Sequence, residues 1–279
     1  SQERFHTYSR PLISYLLENK TDLQHMTYRP TSFYRDMAVE AHLGVKATEI
    51  LPQKRQVVLD TGETLPYDKL LVATGSVPFV PQIEGLDTVE HKFTFLSLDD
   101  AQALESALTP KSRVFILGAG LIGLKCAEGI ARRVGSVEVA DLASQVLPSI
   151  LDETAAQRVQ AHLEAQGLRF HLGDTAVRFE RNRAFLQSGG KVDFDILVVA
   201  VGVRPSVSLV QKAGGEVGRG IMTDDTGLTS LPGVYAAGDC CESLDMTTGE
   251  HKVLALLPNA YLQGECAGKN MAGSPSHFS

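Results

Sequence analysis

Residues 113–123 read RVFILGAGLIG, a five-residue apolar run that leads straight into glycines spaced G-x-G-x-x-G. The run predicts a buried strand, and the residues after the glycines predict a helix: Leu124, Ala127, Ala131 and Val134 recur at helical spacing, and Gly135 is placed to end it. A second strand, residues 137–140, then delivers Asp141, eighteen residues after Gly123. The glycines have separate tasks in this setting. They allow a tight turn at Gly118, close approach of a pyrophosphate at Gly120, and packing of helix on strand at Gly123, while the helix dipole and the first-turn amides at Leu121 and Ile122 receive the anion. An acid at Asp141 accepts hydrogen bonds from an adenosine ribose, and residues 142–148 (LASQVLP) hold no Arg or Lys for a 2′-phosphate, so NAD(H) is expected rather than NADP(H). The glycines alone also suit a turn in an ordinary α/β domain; strand, helix and distal acid together favour the dinucleotide.

Working outward, residues 67–78 (YDKLLVATGSVP) recur at an offset of 127 as residues 194–205 (FDILVVAVGVRP). Each copy leads an aromatic residue and an Asp into a short apolar strand, 70–73 or 196–201, that stops at Gly75 or Gly202, where backbone can approach a ligand closely. The echo implies two related nucleotide-binding lobes. Between the copies, residues 152–166 read as a helix with Ala156, Val159 and Leu163 inward, and 169–172, 176–180 and 184–187 read as strands before a turn at Gly189-Gly190. His162 and His171 read as surface or packing residues. A third signature, residues 231–239 (LPGVYAAGD), is a turn, an apolar strand and then Gly238-Asp239, with Asp239 facing a ligand.

A chain of 279 residues with 43% hydrophobic and 21% charged residues suits about two compact domains. The net charge of −7 and the lack of any basic cluster interleaved with aromatics exclude a general nucleic-acid binder. No apolar run approaches the roughly 18 residues of a membrane span, and residues 1–20 lack a signal-peptide core, so a cytoplasmic protein without a membrane partner is expected. Cys126, Cys240, Cys241 and Cys266 have neither metal-ligand spacing nor a C-x-x-C pair, so no metal site or disulfide framework is expected.

The order GAGLIG, ATG, VGVRP and YAAGDC resembles the FAD- and NAD(P)-dependent pyridine nucleotide-disulfide oxidoreductase superfamily over nearly the whole chain. Tyr8-Ser9-Arg10-Pro11, Tyr34 and the stretch 62–75 look most like the branch of NADH oxidases, rubredoxin and ferredoxin reductases and the NADH-reacting part of nitrite reductase. The resemblance implies an α/β fold of two Rossmann-like domains, the NAD domain (97–222) inserted in an FAD domain made of 1–96 and 223–279. It implies that Arg10 approaches the FAD, that Ala73, Thr74 and Gly75 mark the strand end passing it, and that Asp239 hydrogen-bonds the ribityl chain. A helix opening at residues 257–260, with Ala260 in its first turn, points its N-terminus at the flavin.

Departures from the pattern carry information too. Residues 1–60 hold no cysteine, so a dithiol mechanism is unsupported and electrons are expected to leave directly from the flavin. Cys240 and Cys241 read as small residues beside the flavin, and Cys126 and Cys266 as buried packing. Many members pair a Glu after the fingerprint with a Lys in the Arg-Pro helix; Lys125 and Tyr15 stand here instead, which suggests a cation without its usual carboxylate, with Lys125 as a catalytic candidate. The echo offset places the counterpart of Gly118 about nine residues before Ser1, so the sequence is expected to be truncated at both ends, its FAD lobe incomplete and its exposed strand edge open to homodimerisation. The expected function is a flavin-dependent NADH oxidoreductase passing electrons to a redox protein, dioxygen or a fused metal centre. The alternative is a non-catalytic NAD-binding or interaction module.

Overall fold

The computed structural model describes residues 1–245 and 247–278. The chain forms two compact units, one of Ser1–Phe5, Tyr34–Val77 and Arg204–Ser279, the other of His6–Phe33 and Pro78–Val203. These borders differ from the expected 1–96, 97–222 and 223–279.

In the second unit the apolar runs become a five-stranded parallel sheet, in the order Lys92–Phe93, Ile196–Val199, Arg113–Leu117, Ser136–Asp141, Leu168–Leu172. Helices Leu121–Ile130 and Glu153–Ala165 connect three of these strands in succession. The fingerprint strand Arg113–Leu117 has Ser136–Asp141 on one side and Ile196–Val199 on the other. Strand order reverses there, and in open parallel sheets the crevice beyond the carboxyl ends at such a reversal is where ligands bind. An antiparallel meander, Ala176–Glu180, Arg183–Leu186 and Lys191–Asp193, adds Phe179, Ala184, Leu186 and Val192 to a core with Phe115, Leu117, Phe194, Leu197 and Val199. The Phe194 ring stacks on Phe115 and meets Phe179 edge-on, each with centroids 6.0 Å apart.

Residues 6–33 belong to this unit because their apolar side chains are buried in it. Ile13, Leu17 and Met26 are each at most 6% exposed, and helix Ile13–Leu17 lies so close to the fingerprint helix that a Cβ on Gly129 would come within 3.0 Å of the Ser14 carbonyl oxygen and 3.2 Å of Leu17 Cβ. The fingerprint helix ends at Ile130, short of the expected Gly135: the Arg133 amide bonds the carbonyl three residues back, tightening the last turn, and Val134 is only half-buried.

The other unit is built on smaller sheets. Leu70–Val72, the first copy of the echo, pairs in parallel with Val234–Ala236, Leu70 opposite Val234 and Val72 opposite Ala236. Ile221–Met222 pairs with Cys241–Asp245, and a meander of Ala47–Leu51, Gln56–Leu59 and Thr64–Pro66 adds Ile50 to a core with Val72, Val210, Ile221, Leu231, Val234 and Ala236. Helix Leu257–Met271 buries Gln263, Cys266 and Ala267. Among the described residues no helix is long and apolar enough to cross a membrane.

Candidate cofactor-binding sites

At the end of the fingerprint strand, Gly118 has φ +108°, and a Cβ there would stand 2.2 Å from the Ala200 carbonyl oxygen, so only glycine fits. Gly123 is buried, and its added Cβ would lie 2.0 Å from the Gly118 oxygen, which brings helix Leu121–Ile130 directly onto the turn. Gly120 behaves differently. It is the N-cap residue, no side chain caps the helix, and a Cβ built on it meets nothing within 4 Å. The first-turn amides of a helix have no intrahelical partner, so open space before Leu121 and Ile122 is suited to an anionic phosphate. Neither an acidic nor a basic residue occupies that first turn.

Asp141 ends its strand aimed at the turn. Its Oδ2 accepts the Ala119 amide at 2.6 Å and its Oδ1 the Ala143 amide at 2.8 Å. The Ala119 carbonyl in turn accepts the Leu147 amide at 2.9 Å, and Leu147 holds φ +51°, unusual for a bulky residue. The Ala119 peptide is therefore clamped at both ends. Each carboxylate oxygen retains a lone pair for a ribose hydroxyl. Gly202, φ +120°, lies beyond the adjacent strand Ile196–Val199, again with nothing within 4 Å of an added Cβ. Glycine turn, acid and Gly202 thus border one sheet end, a cradle that fits the adenosine diphosphate half of NAD(H).

Lys125 departs from expectation. Its ammonium lies 2.8 Å from Glu128 Oε2 and 5.5 Å from the Tyr15 ring centroid. The lysine and Tyr15 do face each other across two packed helices, but Glu128, one turn on, supplies the carboxylate thought to be missing. That hydrogen bond is the main reason the Lys125 pKa is raised, so the side chain is a cation at neutral pH. Arg10 lies in this same unit, where its Nη1 donates to the Leu96 carbonyl at 3.1 Å and its guanidinium lies over the Tyr8 ring.

The remaining predicted residues converge in the other unit. Because Val72 and Ala236 end side by side, the loops beyond them leave from one edge. After Val72 come Ala73, Thr74 and Gly75: Thr74 Oγ1 donates to the Ser206 carbonyl at 2.7 Å, and Gly75, φ +62°, accepts the Ser206 amide at 2.9 Å. After Ala236 comes the turn at Gly238, φ +82°, and half-buried Asp239, whose Oδ2 accepts a long 3.5 Å bond from Ser76 Oγ. A Cβ on Gly238 would lie 3.6 Å from that of Ala260, which places the first turn of helix Leu257–Met271 against this loop. A half-buried carboxylate at paired strand ends, with open space around Gly75 of the neighbouring loop, fits the polyhydroxyl chain of FAD.

The cysteines pack. All four are free and buried; the Cys240 thiol donates to the Val72 and Ala237 carbonyls, burial pushes the Cys241 thiol up to about 12, and burial also raises that of Cys126. Sequence reasoning missed Gln263, whose Oε1 accepts the Gly238 amide at 2.8 Å. The signal available was one polar residue at helical spacing among Ala260, Cys266 and Ala267.

Comparison with known proteins adds an independent view. The family model described as pyridine nucleotide-disulphide oxidoreductase matches residues 1–264. The assimilatory nitrate reductase electron transfer subunit of Bacillus subtilis (strain 168) is 32% identical over 272 residues, 96% of this chain and 34% of that protein. An NADH oxidase of Methanocaldococcus jannaschii is 38% identical over 218 residues, 76% of this chain and 48% of that protein. The crystal structure of the ferredoxin reductase for the CYP199A2 system from Rhodopseudomonas palustris superposes with a TM-score of 0.91 at 26% identity, covering 100% of this chain and 70% of that one. The chain spans half or less of the length of the first two of these relatives. With the glycine turn at the sheet's reversal and the echoed strands in their two units, a match over residues 1–264 makes the chain a member of the pyridine nucleotide-disulphide oxidoreductase family.

Proposed function

We propose that this chain is the nucleotide-handling part of a flavin-dependent NADH oxidoreductase of the cytoplasm, with a redox protein, dioxygen or a fused metal centre as electron acceptor. The observation that carries the reading is the Asp141 carboxylate bonded to Ala119 inside the glycine turn, an acid positioned for ribose hydroxyls where NADPH would need a cation. Support comes also from the relatives, whose names join NADH to electron transfer: an NADH oxidase, an electron transfer subunit and, at 30% identity, a rubredoxin-NAD(+) reductase of Pseudomonas putida.

In this reading the first-turn amides at Leu121 and Ile122 hold the NADH pyrophosphate, and Asp141 orients the ribose. Ala73, Thr74, Gly75, Gly238 and Asp239 hold FAD by its ribityl side, with Ala260 in the first turn of the helix that faces it. Bound there, FAD would supply a hydride acceptor for NADH and a donor of one or two electrons to the acceptor. The protein aligns and tunes; hydride transfer needs no general base.

Lys125, held as a cation by Glu128, steadies the nicotinamide end of NADH. Lys125→Ala is expected to slow hydride transfer roughly three- to tenfold, the equivalent of about 1 kcal/mol for a partly exposed charge. Stopped-flow reduction at an unchanged rate retires that role.

The reading as a whole is tested by adding FAD to the purified chain, removing the excess and titrating with NADH without oxygen. A yellow protein that bleaches supports it. A protein that stays colourless yet binds NADH supports instead a non-catalytic NAD-binding module.

A further inference from the structure

The buried face of helix Leu257–Met271 carries a polar side chain that the function above leaves unused. Gln263 is 7% exposed, between Ala260 one turn before and Cys266 and Ala267 one turn after. Both ends of its carboxamide are engaged: Oε1 accepts the Gly238 amide at 2.8 Å and the Cys241 thiol at 3.4 Å, while Nε2 donates to Ser243 Oγ at 3.1 Å. A leucine of similar volume would pack as well but would leave the half-buried Gly238 N–H without this partner, which is why a polar residue on this face calls for a reason.

The reason lies in the residue after Gly238. Glycine in the left-handed region has no side chain to favour one orientation of its peptide, so an outside partner must choose it. Gln263 supplies that partner on the N–H side, while the Gly238 carbonyl accepts the Cys241 amide at 3.1 Å. Among the described residues the Asp239 carboxylate accepts the long 3.5 Å bond from Ser76 and no other hydrogen bond, so the backbone of the turn decides where it points.

We infer that Gln263 is a positioning residue for Asp239, fixing the Gly238–Asp239 turn so that the carboxylate is presented to the flavin's ribityl hydroxyls before the cofactor arrives. The inference rests on the flavin site proposed above. It can be tested on the full chain stripped of flavin, by titrating FAD and following the loss of its fluorescence. Gln263→Leu is expected to weaken FAD binding roughly tenfold, the effect of losing the one hydrogen bond that presets the turn, and to leave NADH binding unchanged. Gln263→Glu keeps an acceptor for the Gly238 amide and is expected to recover most of the affinity.

The decisive comparison is the Asp239→Ala background, where Gln263→Leu is expected to cost almost nothing further, since there is no carboxylate left to position. An equal loss in both backgrounds overturns the inference, as does wild-type affinity in Gln263→Leu. If that variant does not fold, Ser243→Ala, which frees only the Nε2 end, is expected to weaken FAD binding about threefold with Asp239 present and not without it; no weakening has the same overturning force. Absence of FAD binding by the wild-type chain is a different result: it removes the flavin reading of this unit, and the inference with it.

Discussion

Gly118→Ala is expected to abolish NADH binding at the fingerprint turn and to destabilise its unit by about 3 kcal/mol or more. The added methyl would stand 2.2 Å from the Ala200 oxygen, 2.7 Å from its carbon and 3.1 Å from the Val201 nitrogen, all backbone. None of these can swing away as a side-chain tip could. The Ala200 amide is bonded to the Leu117 carbonyl and the Gly118 amide to the Ala140 carbonyl, each at 2.8 Å, so relief requires parting two strand ends. The backbone angle, φ +108°, adds its own penalty for any residue with a Cβ. Gly120→Ala is the control: its φ of −77° suits alanine and nothing lies within 4 Å, so stability stays within about 1 kcal/mol of wild type, while the methyl intrudes where the pyrophosphate would lie and NADH binding still falls. In thermal melts Gly118→Ala should lose roughly 6–12 °C, at 2–4 °C per kcal/mol for a unit of this size. A melt within a degree or two of wild type, with NADH affinity retained, would falsify the account of the turn.

What could be read before any coordinates was whatever local chemistry constrains. Strand, glycines and acid around Gly118 obey steric and electrostatic demands that lie within some thirty residues of one another, and the strand Arg113–Leu117 appears with the expected ends. The echoed strands were equally legible, because an apolar run stopped by glycine has few other uses. Less is legible where distant burial decides. Nothing local in residues 6–33 reveals that Ile13, Leu17 and Met26 find their core with the fingerprint helix; the sign was Gly129, whose missing side chain admits that close approach. Glu128 is legible as a partner for Lys125 at i+3, a pairing that follows from helical spacing and not from the family motif, whose carboxylate stands elsewhere. Gln263 shows the limit from another side: its helical face was readable, but its partners on Gly238, Cys241 and Ser243 are set by how the chain returns.

The second large effect concerns which dinucleotide the turn accepts. Asp141→Ala combined with Leu142→Arg should shift the ratio of NADPH to NADH affinity by on the order of a thousandfold. In the native chain a 2′-phosphate would lie against a carboxylate with no cation in reach along residues 142–148, and like charges about 4 Å apart near a protein surface repel by about 2 to 4 kcal/mol after screening. Removing the acid removes that penalty. Leu142 is 68% exposed directly after Asp141, so an arginine there can reach the phosphate with no core to disturb, adding a charge-assisted hydrogen bond. The change also has a cost of about tenfold common to both nucleotides, because Asp141 accepts the Ala119 and Ala143 amides; NADH binding should fall, NADPH binding should rise by what the relieved repulsion and the new arginine contribute beyond that cost, and the ratio inverts. Asp141→Asn separates the two roles. Its amide group can accept only one of those N–H groups and turns a donor toward the other, so NADH binding weakens through the lost brace, while the neutral side chain removes the repulsion of a 2′-phosphate without supplying a cation. Titration of each variant with both nucleotides measures the ratio, and a double variant that still prefers NADH would show that the carboxylate braces the turn without choosing the ligand.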